Sequence, residues 1–403
     1  MRKKKTGGFR VRDAILVVVA FGVLVSALVI NVRFGDEALE VISSTGSTGG
    51  TSADFDSFWR SAKALWDGGD VYETGARLAN LNPPFWVALI APLGLLEPFT
   101  AYLVFALITL LTSVGYLAWM ADELRLRAGW AVVGVVMLLL SSPLLATLVL
   151  GQIYPFLALG LVAAWVADRR GRLGVAGSAL GLVVAIKPSL LPLVLWPLMR
   201  RRWGMLGAML ASAAAAMLVG IIMVGPGATL DWLKLLATAP LDGYWDNASL
   251  PGSAARLFSE NQYAEPIATL PWVIPAAYVL GIGIVILTAV KVRHDPEMGL
   301  WALVAASLLA SPIAWNNYLV LLGPGILLLL ARGRAAPALL LLALQSIPPL
   351  WPLLWQDTNT VVATLALTLY LYILLAHWLV FLLATEPESV SGEVAAAAGE
   401  KLG

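Results

Sequence analysis

The chain of 403 residues has no cysteine and only two histidines, His294 and His377. The first absence excludes disulfides and thiolate chemistry. The second argues against a histidine-based metal centre or a Ser-His-Asp triad. Charge is also sparse. Asp, Glu, Lys and Arg make up 13% of the residues, against about 25% in a soluble globular protein. A net charge of +1 leaves no global basic field, so nucleic acid is excluded as a partner. Neither a soluble domain nor an internal repeat stands out.

What is present is apolar. Hydrophobic residues form 60% of the chain. They gather in runs at 14–31, 99–121, 130–150, 153–167, 172–187, 188–199, 204–224, 271–290, 298–311, 317–331, 335–352 and 361–384. Runs of this length and composition predict an all-α polytopic membrane protein. The first run follows a basic N-terminus and reads as a retained signal anchor. The stretch 84–97 is apolar but short and proline-flanked, and reads as re-entrant or half-buried.

The positive-inside rule orients the layout. With the N-terminus in the cytoplasm, 18 of the 26 basic residues fall inside, among them Arg169, Arg170, Arg200, Arg201, Arg202 and Arg332. Counting 84–97 as a crossing would turn every later arginine cluster outward. About 12 crossings result, with both ends inside. One membrane domain then covers 1–384, with outer loops at 32–83, 225–270 and a shorter one at 351–360. A low-complexity cytoplasmic tail, 385–403, is expected to be disordered.

The first outer loop is the most informative segment. A flexible linker at 44–53 leads into a helical pattern. Phe55, Phe58, Trp59, Ala62, Leu65 and Trp66 share one face; Asp56, Arg60, Lys63 and Asp67 share the other. Such a helix is expected to lie in the bilayer interface, ended by Gly68-Gly69. Asp54 at its start is either an N-cap or a general base at the membrane surface. Asp56 reads first as the ion-pair partner of Arg60 at i+4. Asn82-Pro83-Pro84 marks a turn and a helix entry.

Other polar residues fall at membrane depth. Gly151-Gln152-Ile153-Tyr154-Pro155 breaks an apolar region, and Lys187-Pro188-Ser189 interrupts 172–199. A lysine there either snorkels or meets an anion such as a lipid phosphate. Ser311-Pro312 through Trp315, Asn316, Asn317 and Tyr318 forms a second polar break. It either lines a cavity or is an interfacial loop with a belt aromatic. The second large loop carries Asp231-Trp232, Tyr244-Trp245-Asp246, Asn247-Ala248-Ser249 and Arg256. Its Trp, Tyr and Asp suit carbohydrate stacking and hydroxyl recognition, or interface anchoring alone. Asn247-Ala248-Ser249 also matches a glycosylation sequon.

In order and spacing, these pieces resemble glycosyltransferase family 87. The resemblance runs from Asp54 to Pro324 through Asp54-Phe55, Asn82-Pro83-Pro84-Phe85, the Gln152 and Lys187 segments, Asn247 to Arg256, and Ser311 to Pro324. It implies a GT-C fold with interfacial helices in the first outer loop. It also implies a polyprenyl-phosphate-sugar donor, a glycolipid or polysaccharide acceptor, no cofactor or metal, and a catalytic aspartate at Asp54. Two positions depart from the family pattern: Asn82 stands where an aromatic is common, and Asn316-Asn317 where an acidic residue or histidine is. Both bear on sugar and acceptor choice.

The reaction expected is transfer of one sugar with inversion, on the outer face of a bacterial plasma membrane. Mannose is favoured and arabinofuranose is next. Asp54 would be the base, with Asp56 as alternative base or acceptor contact. Lys187, Arg256, Arg60 and Lys63 would hold the donor phosphate. Gln152, Tyr154, Asn247, Ser249, Trp315, Asn316 and Asn317 would contact sugar or acceptor. The rivals are a transporter or flippase of lipid-linked sugars, an oligosaccharide ligase, and a membrane scaffold. A transporter would more often show repeats and paired broken helices.

Overall fold

The computed structural model describes residues 53–239, 241, 243–350 and 360–385, with helical positions at 15, 18–23, 25 and 26. Half of the signal-anchor run 14–31 lies outside the described residues. So do the linker 44–53, the loop 351–360 and the tail 385–403, apart from single end residues. The regular elements of the described residues are all helical, with no strand.

The helices are α1 (Ala53–Asp67), α2 (Pro84–Ile90), α3 (Pro98–Glu123), α4 (Ala128–Leu139), α5 (Ser142–Leu150), α6 (Tyr154–Arg169) and α7 (Leu173–Ile186). They continue with α8 (Leu195–Met199), α9 (Trp203–Val224), α10 (Pro226–Thr238), α11 (Leu250–Phe258), α12 (Val273–Val292) and α13 (Pro296–Ala310). The last are α14 (Gly323–Ala331), α15 (Ala335–Gln345), α16 (Val361–Leu367) and α17 (Leu369–Ala384). Three 3-10 segments, Ala91–Leu95, Pro188–Val194 and Asn316–Leu322, sit at the breaks.

Among the described residues, only α3, α9 and α12 are long and apolar enough to cross a bilayer alone, and the bent pairs α4–α5 and α16–α17 raise the number to five. About 12 full-length spans are therefore not seen among the described residues. The physical reason is visible at the breaks. Pro143 and Pro188 remove backbone donors where the chain turns. The remaining apolar helices are short and rely on neighbours for their backbone environment.

The core is centred on α13, whose residues from Met298 to Leu309 are all buried. A helix apolar all round belongs inside a bundle. By contrast α3, α9 and α12 expose Leu111, Ile222 and Val279 on their outer sides, as lipid-facing helices do. Helices α7 and α9 approach closely because Gly181 has no side chain: a Cβ there would stand 2.0 Å from Ser212 Oγ. Ser212 then donates to the Ser178 carbonyl at 2.9 Å, so small residues and one hydrogen bond join the pair.

The bundle has two unlike ends. At one end Glu123, Arg169, Glu297, Arg332 and Asp295 form a chain of ion pairs linking the ends of α3 and α6, the start of α13 and the end of α14. Arg200 pairs with Asp168 at the same end, at 2.8 Å. A cavity of about 560 Å³ opens there, lined by Asp122, Glu123, Leu124, Arg125, Arg169 and Arg170. The other end of α6, about 22 Å away at 1.5 Å per residue, carries the residues described next.

The stretch 84–97 stays beside α1. Trp66 donates to the Ala91 carbonyl at 2.7 Å and Trp59 to the Leu96 carbonyl at 3.1 Å. Helix α2 has 7 residues, too few to span a hydrocarbon core of about 30 Å. It is a buried, doubling-back segment.

Candidate active site

Helix α1 was expected to lay its aromatic face on lipid. Instead it packs that face on protein: Phe55, Phe58 and Ala62 are buried, and only Trp66 among the large residues is well exposed. Phe55 and Phe58 enter an aromatic cluster with Trp86, Tyr102, Phe105 and Phe156. Gly151 makes this seating possible. It ends α5 in the left-handed conformation, φ 73°, and a Cβ on it would stand 2.5 Å from Phe55 Cβ. Glycine satisfies both demands.

The turn at Gly151 delivers Gln152 to the first turn of α1. Gln152 Nε2 donates to Asp54 Oδ2 at 2.7 Å. Asp54 is therefore held by a side chain from another element, and no backbone amide caps onto its carboxylate among the described residues. Its backbone carbonyl accepts from Ser57 Oγ at 2.7 Å. Burial raises the Asp54 carboxyl above the ordinary carboxylate value, and the Gln152 hydrogen bond and the nearby Lys187 charge oppose that rise. The residue still keeps intermediate exposure. A carboxylate that is both desolvated and accessible stands on the wall of a recess.

Lys187 lies within electrostatic reach of Asp54. It sits where α7 stops, at φ −132° and ψ 85°, because Pro188 follows it. Its ammonium lies 4.9 Å from the centroid of the Tyr318 ring and 5.8 Å from that of Tyr154. The two tyrosine rings face each other at 4.1 Å. Lys187 makes no ion pair within 4.0 Å among the described residues. It is a cation held by aromatic faces beside Asp54.

The 3-10 helix Asn316–Leu322 carries Tyr318 on to the second part of the site. Asn316 and Asn317 are buried, and the Asn316 Nδ2 and Asn317 Oδ1 atoms have no hydrogen-bond partner. Asn316 lies near Tyr370, which also lies 3.3 Å from Ser142 Oγ and within electrostatic reach of Asp246. Burial pushes the Asp246 carboxyl up to about 7, against the pull of Arg256. Trp315 meets Tyr244 edge to face at 5.8 Å.

The structure brings Asp54, Gln152, Tyr154 and Lys187, from three separate segments, near one another. Five other expected contacts are used differently. Arg256 is fully buried, and its guanidinium donates to the carbonyls of Gly243, Tyr244 and Asn247 and to Ser253 and Thr368 hydroxyls. It fastens the second loop instead of facing a donor phosphate. Asn247 is also buried. It donates to the Pro312 carbonyl at 3.1 Å and accepts from the Ala314 and Ser249 amides at 3.0 and 3.1 Å. Ser249 caps α11 and donates to Pro312 as well. Both residues lock one loop to the other, and the buried Asn247 amide is closed to glycosylation. Arg60 and Lys63 pair with Asp56 and Asp67 at 2.8 and 2.7 Å on the exposed face of α1. Asp56 thus has the ion-pair role read first for it.

Tyr318, Asp246, Tyr370 and the packing role of Gly151 were missed. Tyr318 and Asp246 stood in segments singled out for polarity, but no sequence spacing showed which cation or hydroxyl each would meet.

The family model for glycosyltransferase family 87 matches residues 80–312. Asp54 lies before that range. The chain is 28% identical over 219 residues to an alpha-(1->3)-arabinofuranosyltransferase of Corynebacterium glutamicum, covering 51% of this chain and 50% of that protein. It is 26% identical over 317 residues to a polyprenol-phosphate-mannose-dependent alpha-(1-2)-phosphatidylinositol mannoside mannosyltransferase of Mycobacterium tuberculosis, covering 72% of this chain and 71% of that protein. The chain thus spans about half the length of the first relative. Crystalline ArnT from Cupriavidus metallidurans, bound to undecaprenyl phosphate, is 16% identical over 92% of this chain and 76% of that chain. Its TM-score of 0.38 is too low to assign a common fold.

Proposed function

Because the chain belongs to glycosyltransferase family 87, we propose that it transfers a single sugar from a polyprenyl-phosphate donor to an envelope glycolipid or polysaccharide, with inversion. Mannose is favoured over arabinofuranose. The mannosyltransferase relative aligns over 72% of this chain, the arabinofuranosyltransferase over 51%. The observation that carries the reading is the Asp54–Gln152–Lys187 group: a desolvated carboxylate held by Gln152, with an aromatic-held cation within its electrostatic reach.

The chemistry follows from those groups. Asp54 Oδ1 takes the proton of an acceptor hydroxyl while Gln152 holds Oδ2. The freed oxygen attacks the anomeric carbon from the side opposite the phosphate. The carbon–oxygen bond to the phosphate breaks, and polyprenyl phosphate leaves with the electron pair. Lys187 stabilises the charge growing on the departing phosphate. A raised carboxyl pKa strengthens Asp54 as a base. Tyr154 and Tyr318 keep the lysine in place and offer an aromatic wall to the sugar. The scheme needs no metal.

We place this recess on the outer face of a bacterial plasma membrane, within a GT-C bundle of about 12 crossings over 1–384. The support is the polarity of the bundle. The arginine-rich ion pairs gather at the end away from the recess, as the positive-inside rule expects of a cytoplasmic side.

The test is transfer by the purified full chain in lipid nanodiscs, offered labelled polyprenyl-phosphate mannose or arabinofuranose with envelope glycolipids. Labelled glycolipid from the mannose donor is the expected product. Product from the arabinose donor alone would reverse the sugar assignment, and transfer from neither would remove the activity.

A further inference from the structure

The second buried carboxylate, Asp246, has no part in the transfer step above. Three observations surround it. First, its loop is pre-shaped. Arg256 donates to the carbonyls of Gly243, Tyr244 and Asn247, on both sides of Asp246 in the chain. The Ala248 amide donates to the Ala314 carbonyl at 2.7 Å. An arginine and a loop bridge thus hold the backbone flanking one side chain.

Second, the carboxylate is inside the protein yet keeps intermediate exposure, and no described group donates a hydrogen bond to it. Such a group is costly unless something polar meets it. Third, one neighbouring side chain has a buried atom without a partner, while the Tyr370 hydroxyl beside it donates to the Ile347 carbonyl at 2.8 Å. The Asn316 amide nitrogen is buried and unpaired. Asn316 lies near Tyr370, and Tyr370 is in the field of Asp246. Tyr244 and Trp315 add aromatic faces beside them.

We propose that Asp246, Asn316 and Tyr370, walled by Tyr244 and Trp315, form a second subsite that binds the terminal sugar ring of the acceptor through its hydroxyls. The carboxylate accepts from two neighbouring hydroxyls. The Asn316 amide donates to a third oxygen, and an aromatic face covers the ring's C–H side. Neutral sugars fit this combination of a carboxyl group, an amide donor and aromatic walls. Position favours the acceptor over the donor. Asn316 and Tyr318 stand two residues apart on a 3-10 helix rising about 2.0 Å per residue, so this subsite adjoins the Lys187 recess without overlapping its cation. The subsite rests on the transferase reading for the word acceptor, but its binding can be measured without any transfer.

The experiment titrates the full chain in nanodiscs with methyl α-D-mannopyranoside, and separately with methyl α-D-arabinofuranoside, reading tryptophan fluorescence. Trp315 and Trp245 lie beside the subsite. Saturable binding of at least one glycoside is expected. It should weaken about ten-fold or more in Asp246→Asn, the scale of a lost hydrogen bond to a charged group. It should stay within two-fold of wild type, on the order of experimental error, in Asp122→Asn, an exposed residue at the opposite, ion-paired end of the bundle. Asp246→Glu keeps the charge and serves should the Asn variant not fold; it is expected to weaken binding as well, by misplacing the carboxylate. No binding of either glycoside to the wild type would overturn the proposal, as would equal binding by wild type and a folded Asp246 variant. Loss of transfer with this binding intact would instead count against the transferase reading alone.

Discussion

Gln152 Nε2 stands 2.7 Å from Asp54 Oδ2, joining residues 98 positions apart. The bond fixes which carboxylate oxygen faces the recess. It also opposes the burial that raises the Asp54 carboxyl.

Removing that bond has two expected consequences. In Gln152→Ala, kcat should fall about ten-fold, the size of one lost charged hydrogen bond. Because the Gln152 bond lowers the Asp54 pKa, its loss should move the acidic limb of the kcat/KM profile to higher pH. A pH–rate profile of the variant checks both. A drop in rate with an unmoved limb would mean that Gln152 touches substrate without tuning the base.

Lys187→Met keeps a long side chain and removes the charge. We expect the donor KM to rise about 10- to 100-fold if Lys187 holds the phosphate in the ground state. If the contact tightens only as charge develops, kcat falls instead. Steady-state kinetics over a range of donor concentration separate the two. An unchanged donor dependence would leave Lys187 as a packing residue between Tyr154 and Tyr318.

Gly151→Ala tests the seating of α1. The new methyl group meets Phe55 Cβ at 2.5 Å and sits on a backbone at φ 73°. The left-handed conformation alone costs an alanine about 1–2 kcal/mol, and the clash adds to it. A lower Tm and loss of transfer together are expected. A lower Tm with full activity would show that α1 shifts without moving Asp54 off Gln152.

Much of the site was legible in the sequence, for a physical reason. Asp54, Gln152 and Lys187 are polar residues where apolar runs break, and such residues are retained in a membrane bundle only at some cost. Segment 84–97 was legible too, because its length and prolines forbid a span. The roles of Arg256, Asn247 and Ser249 were not. Each is a polar residue in a long loop, and nothing local says whether its partner is a ligand or the carbonyl of Pro312 in another loop. The face chosen by α1 was misread for a related reason. An amphipathic helix looks the same whether lipid or Trp86 and Phe105 lie beneath it. The spans were legible as apolar stretches, and the break at Lys187-Pro188 was legible too, but the run 130–150 was read as continuous although it bends at Ser141, before Pro143.

Asp246 makes stability depend on pH. Its folded carboxyl titrates near 7, raised by burial from an ordinary value of 3.8. The folded state therefore binds more protons between these values, and this contribution to stability is full below 3.8 and lost as pH rises through about 7. Asp54 adds a slope of the same sign. In Asp246→Asn the fall in Tm across this window should be shallower than in the wild type, leaving the part due to Asp54. Parallel curves for the two proteins would show that Asp246 is not titrating there.

The most direct test of Asp54 as the base is single-turnover transfer from labelled polyprenyl-phosphate mannose in nanodiscs, comparing wild type with Asp54→Asn at matched folding and loading. Asparagine preserves shape and the contact with Gln152 but cannot take a proton. Wild type should form inverted product, and the variant should lose about 10²- to 10⁴-fold in rate. Transfer by Asp54→Asn at the wild-type rate would contradict the role of Asp54 as the general base.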